Sequence, residues 1–162
     1  MKDTEKVKVM FVCLGNICRS PLAHAVFEDI LEKEGLEDLL DVDSSGTGAW
    51  HVGEPADSRM RQTAGKHGVR INHYAQQLVS AHLDENDLIL AMDRQNYKNI
   101  LALCRSDEQR KKVKMFRDYD PEGSGDVPDP WYGGDEGFDM VWRIVYRTCV
   151  SLLSMLKADN TI

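Results

Sequence analysis

Residues 7–21 read Val-Lys-Val-Met-Phe-Val-Cys-Leu-Gly-Asn-Ile-Cys-Arg-Ser-Pro, and no other stretch restricts the possible folds as strongly. The β-branched, apolar run predicts a strand, and Ser20-Pro21 predicts a helix start, because proline suits the first helical turn. The residues between, from Cys13 to Arg19, form a tight loop in which Gly15 and Asn16 are the two expected to supply positive φ. A strand entering such a loop and leaving as a helix aims several N–H groups, and the positive end of the helix dipole, at one point. An anion fits there, with Cys13 beneath it and Arg19 forking two of its oxygens. Helix N-termini and nearby guanidinium groups favour a thiolate, and a thiolate facing a bound phosphate is a nucleophile facing an electrophile. An isolated cysteine at the end of a core strand is ordinarily a packed, inert residue. That reading would leave Arg19, the Gly-Asn pair and the strand–loop–helix context unconnected.

Residues 13–20, a cysteine followed by five residues and then Arg-Ser, resemble the phosphate-binding loop of the low-molecular-weight protein tyrosine phosphatases. The position of the loop after a first strand near the N-terminus, and the chain length, are also theirs. The resemblance implies hydrolysis of phosphotyrosine through a phosphocysteine intermediate. Cys13 would be the nucleophile, Arg19 a phosphate ligand, and Leu14, Gly15, Asn16, Ile17, Cys18 and Ser20 the loop around the substrate. The Ser20 hydroxyl is expected to hydrogen-bond the Cys13 sulfur, and Asn16 to hold the loop's shape.

The chain has 162 residues, enough for one domain over 1–162 with a sizeable core. The formal net charge is −7, and no basic stripe offers a footprint for nucleic acid. An anionic substrate must therefore be held by local groups against the long-range field. The charged N-terminus does not read as a signal peptide, and no run approaches the roughly 20 apolar residues of a membrane span. Cys13, Cys18, Cys104 and Cys149 read as reduced thiols of a cytoplasmic protein.

Apolar residues Ala23, Phe27, Ile30 and Leu31 keep helical spacing after Pro21, and Gly35 is a plausible stop. Strands are predicted over 39–46, 87–93 and 112–116, with helices over 57–67 and after Asp93. The last helix is the clearest, with Phe138, Val141, Trp142, Val145, Cys149, Leu152, Leu153 and Leu156 on one stripe. The alternation predicts an α/β fold: a single-domain, four-stranded parallel sheet with helices on both faces. Ligands of such folds sit beyond the carboxyl ends of the strands, where Cys13 falls.

Residues 118–139 contain eight acids and no Lys or Arg, and read as an exposed loop whose acids are mostly solvated. Asp129 stands apart because it lies between Pro128 and Pro130, which restrict its backbone. A carboxyl held this stiffly suits proton delivery to a departing oxygen. The phosphatases carry their general acid in a similar late Asp-Pro segment followed by aromatics, here Trp131 and Tyr132. The stretch 45–53 likewise resembles the family segment that sets an aromatic, here Trp50, beside the phosphate loop. His73 reads as a hydrogen-bonding turn residue. The histidines at 24, 51, 67, 73 and 82 show no ligand spacing along the chain, and no metal or cofactor is implied.

The resemblance implies phosphotyrosine proteins or peptides as partners, a tyrosine kinase among the candidates, with no nucleic acid and no membrane. The oligomeric state is not legible. The alternative substrate is phosphoarginine: relatives acting on it look as though they carry Thr where this chain has Ile17. Arsenate reduction would need a further cysteine pair that the stretch 80–93 lacks. A catalytically idle phosphate-binding module would leave Cys13, Arg19 and Asp129 together unused.

Overall fold

A computed structural model of the chain describes residues 6–130 and 134–162. Strand β1 is Val7–Cys13 and helix α1 is Arg19–Lys33, followed by β2 (Leu40–Gly46) and α2 (Ser58–Lys66). Then come α3 (Ser80–Glu85), β3 (Leu88–Ala91), α4 (Arg94–Leu103), α5 (Asp107–Lys111), β4 (Val113–Met115), a 3-10 turn (Phe116–Tyr119) and α6 (Gly134–Ala158). The sheet is parallel throughout, in the order β2-β1-β3-β4. After β1 the chain goes to one side for β2 and to the other for β3. The crevice at the end of β1 is therefore the switch point of the sheet.

The alternation in β1 divides the core. Val9 and Phe11 face the layer built by α1, α2 and α6, whereas Met10 and Val12 face the layer under α3 and α4. Successive side chains of a strand point to opposite faces, so one short apolar run fills both layers. Phe11 meets Phe27 and Phe116 edge to face at centroid distances of 5.9 and 5.5 Å. Every member of the predicted α6 stripe is buried. Trp142 stacks on His67 at 4.1 Å, which gives it a packing role.

Most acids of the stretch 118–139 are exposed as expected, but Asp120 is not, and the stretch ends in a helix and not a loop. Asp120 is buried and accepts from Arg117 Nε (2.9 Å), Arg147 Nε (2.9 Å) and Arg147 Nη2 (3.0 Å). Burial opposes its ionisation, but the hydrogen bonds from Arg147, Glu122 N–H and Arg117 outweigh burial and hold its carboxyl below the usual range. Asp126 accepts from Arg94 N (2.9 Å), and Val127 N donates to Met92 O (2.8 Å). Asp135, Glu136 and Asp139 lie within α6, two of them in its first turn, where negative charge suits the helix dipole. The segment carrying Asp129 is thus pinned to the sheet at several points. The short helices α3 and α5 were not foreseen, being too brief to show periodicity.

Candidate active site

Cys13 ends β1 and is buried. Its Sγ accepts from Asn16 N (3.2 Å) and lies 3.0 Å from Ser20 Oγ. Asn16 takes the left-handed conformation with φ of 57°. Its side-chain Nδ2 donates to Ser20 Oγ (2.7 Å) and Ser44 Oγ (3.1 Å), and its Oδ1 accepts from Gln76 N (3.0 Å). His73 Nε2 stands 2.8 Å from that same oxygen. Asn16 is buried behind the loop, so it shapes the site and does not line it. Ser20 is also buried behind the wall. Its single proton chooses between Cys13 Sγ and Ser45 O, 3.3 Å away, and a thiolate is the stronger acceptor.

Gly15 does not adopt the positive φ expected of it. Its lack of a side chain matters for another reason: a Cβ there would meet His51 Cδ2 at 3.0 Å. Gly46, paired with Cys13 across the β1–β2 ladder, is under tighter constraint. A Cβ on it would stand 2.7 Å from Leu14 O and 3.0 Å from Asn16 N. Thr47 N and Gly48 N donate to Cys13 O and Leu14 O, both at 2.9 Å, so the end of β2 braces the loop.

Arg19 opens α1 and is buried. Its Nη1 donates to Asp93 Oδ2 (2.7 Å) and Val127 O (3.0 Å). Those two bonds occupy both Nη1 protons. The Nε and Nη2 edge remains, which is the edge that forks an oxyanion. Burial opposes the guanidinium charge, but Cys13, the hydrogen bond donated to Asp93, and Asp129 outweigh it and push its pKa up. Asp93 was read only as the end of a strand. It also caps α4, accepting from Asn96 N at 2.7 Å. Its link to Arg19 spans 74 positions and has no signature along the chain.

The cavity above the loop, of about 220 Å³, is lined by Cys13, Leu14, Gly15, Ile17, Cys18 and Arg19, and closed by Trp50, His51 and Asp129. Trp50 is 71% exposed, so it is a wall and not a core residue. His51 was missed; it approaches Glu54 Oε1 and Oε2 at 3.2 Å each. Asp129 Oδ2 lies 3.9 Å from Arg19 Nη2, with the carboxyl side chain 42% exposed. Trp131 and Tyr132 lie outside the described residues. Burial, then Asp57, Cys13 and Asp129, push the Cys18 thiol far up, with Arg19 opposing. Chemically, the assembly offers a sulfur, a bidentate cation and a carboxyl converging on one space of phosphate-ester size.

The family model for low molecular weight phosphotyrosine protein phosphatase matches residues 8–161. A low molecular weight protein-tyrosine-phosphatase of Streptomyces coelicolor is 40% identical over 153 residues, covering 93% of each chain. A crystal structure of protein tyrosine phosphatase from Entamoeba histolytica superimposes with a TM-score of 0.92 at 36% identity, covering 96% of this chain and 99% of that one. The Drosophila arginine phosphatase superimposes with a TM-score of 0.86 at 28% identity, covering 93% of this chain and 98% of its own. The fold is that of a single-domain α/β protein with a four-stranded parallel sheet whose first strand leads into the loop that carries Cys13 and Arg19. The chain belongs to the low molecular weight phosphotyrosine protein phosphatase family.

One expected result follows from Arg19. Asp93→Ala removes a helix cap, worth about 1 kcal/mol, and takes from the buried Arg19 guanidinium its nearest carboxylate, leaving Val127 O at 3.0 Å and Asp129 at 3.9 Å. Urea unfolding should show a loss of about 2 kcal/mol, and kcat/KM for an aryl phosphate should fall with it. Asp93→Asn keeps an acceptor at one of the two positions, for Arg19 or for Asn96 N, and should fall between wild type and alanine. An alanine variant with unaltered stability and rate would show that Arg19 needs no such anchor.

Proposed function

We propose that the chain is a protein tyrosine phosphatase acting through a phosphocysteine intermediate. The observation that carries this reading is the position of Cys13 Sγ, held by Asn16 N–H and Ser20 Oγ at the base of a cavity walled by Arg19 and Asp129. In the first step the Cys13 thiolate attacks phosphorus, the P–O ester bond breaks, and the Asp129 carboxyl protonates the departing phenolate. In the second step a water attacks phosphorus and gives its proton to Asp129. The P–S bond breaks, inorganic phosphate leaves, and the thiolate returns. Loop amides and the Nε–Nη2 edge of Arg19 hold the equatorial oxygens as charge spreads over them. The Ser20 hydroxyl, by hydrogen-bonding the sulfur, makes it a better leaving group in the second step. These local donors answer the net charge of −7.

Phosphorylated proteins are the proposed substrates, a tyrosine kinase among them. No helix among the described residues is long and apolar enough to cross a membrane. All four cysteines are free and buried, which fits a reducing cytoplasm. The apolar wall of Ile17 and Trp50 favours a phenyl ring, at roughly 0.5–1.5 kcal/mol for a well-placed aromatic pair beyond area burial. Phosphoserine, with its shorter side chain, is expected to gain less from the Trp50 wall when its phosphorus is at Cys13. A panel of phosphotyrosine, phosphoarginine and phosphoserine peptides tests the reading. Phosphotyrosine should have the highest kcat/KM and phosphoserine the lowest, and Ile17→Thr should move the ratio toward phosphoarginine. A wild-type preference for phosphoarginine, or a ratio indifferent to Ile17→Thr, overturns the assignment of substrate.

Cys18 shares the loop with Cys13 and is expected to protect it. Peroxide oxidises the Cys13 thiolate to a sulfenic acid, and the Cys18 thiol then displaces hydroxide from that sulfur, forming a disulfide and water. The negative charge of Cys13 is one of the groups holding the Cys18 proton in place, and formation of a neutral sulfenic acid removes it. Cys18→Ala should therefore make peroxide inactivation harder to reverse with dithiothreitol. Equal recovery in wild type and variant rules out the resolving role.

A further inference from the structure

We propose that His24, Asp43 and His73 form a binding site for one divalent transition-metal ion of the zinc class, set behind the phosphate loop. The three residues come from α1, β2 and the segment after α2, and one donor atom of each lies within 4.8 Å of the other two. Nothing in their spacing along the chain reveals this; the fold brings them together. The two imidazole centroids are 5.0 Å apart, with the rings at 67°. Two imidazoles sharing a tetrahedral ion at about 2.1 Å have centroids roughly 5 Å apart, and their donor atoms roughly 3.4 Å apart. The observed donors close that gap by small side-chain rotations beside a cavity of about 140 Å³, lined by His24, Glu28, Arg70 and His73 among others.

The protonation of His73 is set for this task. Asn16 Oδ1 accepts a backbone N–H from Gln76, so it is an acceptor toward His73 as well, and His73 Nε2 carries the proton. Nδ1 is left with its lone pair. A ligand histidine typically donates its other ring N–H to an oxygen in this way, which fixes tautomer and orientation. His24 Nδ1 lies 3.1 Å from Ser44 Oγ, and its Nε2 lies 3.3 Å from Glu28 Oε1. Glu28 is thus placed to orient the His24 ring. Asp43 accepts from Ser44 N (2.8 Å) and Gln76 Nε2 (3.0 Å), and a carboxylate has lone pairs to spare. Two carboxylates against Arg70 leave the site negative. Imidazole and carboxylate together select zinc, cobalt, nickel or copper over magnesium and calcium.

The site touches the phosphate loop without using its thiols. His73 bonds Asn16, Asn16 bonds Ser20, and Ser20 bonds the Cys13 sulfur. The test needs no activity and so stands apart from the reading of function. Zinc is titrated calorimetrically into the untagged full chain carrying Cys13→Ser and Cys18→Ser, which removes competing thiols. One ion per chain is expected, with His24→Ala and Asp43→Asn each weakening binding at least about tenfold. The His24 and His73 ring resonances should shift on loading, and magnesium should not reproduce the shift. No binding at millimolar zinc overturns the proposal. So does an affinity unchanged in both variants, or equal binding of magnesium. Should one variant fail to fold, the other, together with the ring resonances of the parent, decides.

Discussion

Cys13→Ser should abolish turnover while the oxyanion still binds. A serine hydroxyl at this position is un-ionised, so the nucleophile is lost, and kcat should fall by about 10⁴-fold or more. The cradle itself does not depend on sulfur. Its shape is held by Asn16, whose amide spans Ser20, Ser44 and Gln76, and by the donations of Thr47 and Gly48 to the loop carbonyls. Arg19 stays oriented through Asp93 and Val127 O. If Cys13 acts as the proposed thiolate, replacing it by a neutral hydroxyl also removes repulsion against a phosphate dianion. Phosphate or vanadate affinity should therefore stay within about tenfold of wild type, or ~1.4 kcal/mol, or tighten. Substantial residual turnover in a clean preparation removes Cys13 from the role of nucleophile. Loss of anion binding would instead mean that the sulfur helps to build the cradle.

What could be read along the chain was whatever short-range physics writes there. The β1 run announced a strand buried on both faces, and both core layers accept its alternate residues. The α6 stripe is long enough to be unambiguous. The spacing from Cys13 to Arg19 lies within a single loop, and the loop forms a single cavity wall. Partners far apart in sequence could not be read. Asp93 holds Arg19, Asp120 is gripped by Arg117 and Arg147, and His24 meets His73 only because α1 and the segment after α2 flank the same strand end. Residues 118–139 show the difference most clearly. Composition registers acids, glycines and prolines and reads solvated loop, yet the value of each acid depends on which cation the fold delivers. Gly15 carries a related lesson. Its presence was legible, but its cause is the approach of His51, a steric fact invisible in local propensity.

Asp129→Asn should lower kcat/KM for phosphotyrosine peptides by about 10²–10⁴-fold, the usual span for loss of a general acid. The loss should be much smaller for an aryl phosphate whose phenol is already acidic. The parameter matters because Asp129 is proposed to act twice, as acid in the first step and as base in the second. Hydrolysis of the phosphocysteine is common to all substrates, so kcat mixes the two roles. kcat/KM reports only the steps up to departure of the leaving group, and there the demand for a proton depends on the phenol. Asp129 Oδ2 also lies 3.9 Å from Arg19 Nη2, so the variant alters the polar surroundings of Arg19 as well. That change alone would affect every ester alike. A loss that grows as the leaving group becomes more basic therefore identifies proton transfer. Equal losses on both kinds of ester would instead assign Asp129 to positioning Arg19 and the segment between Pro128 and Pro130.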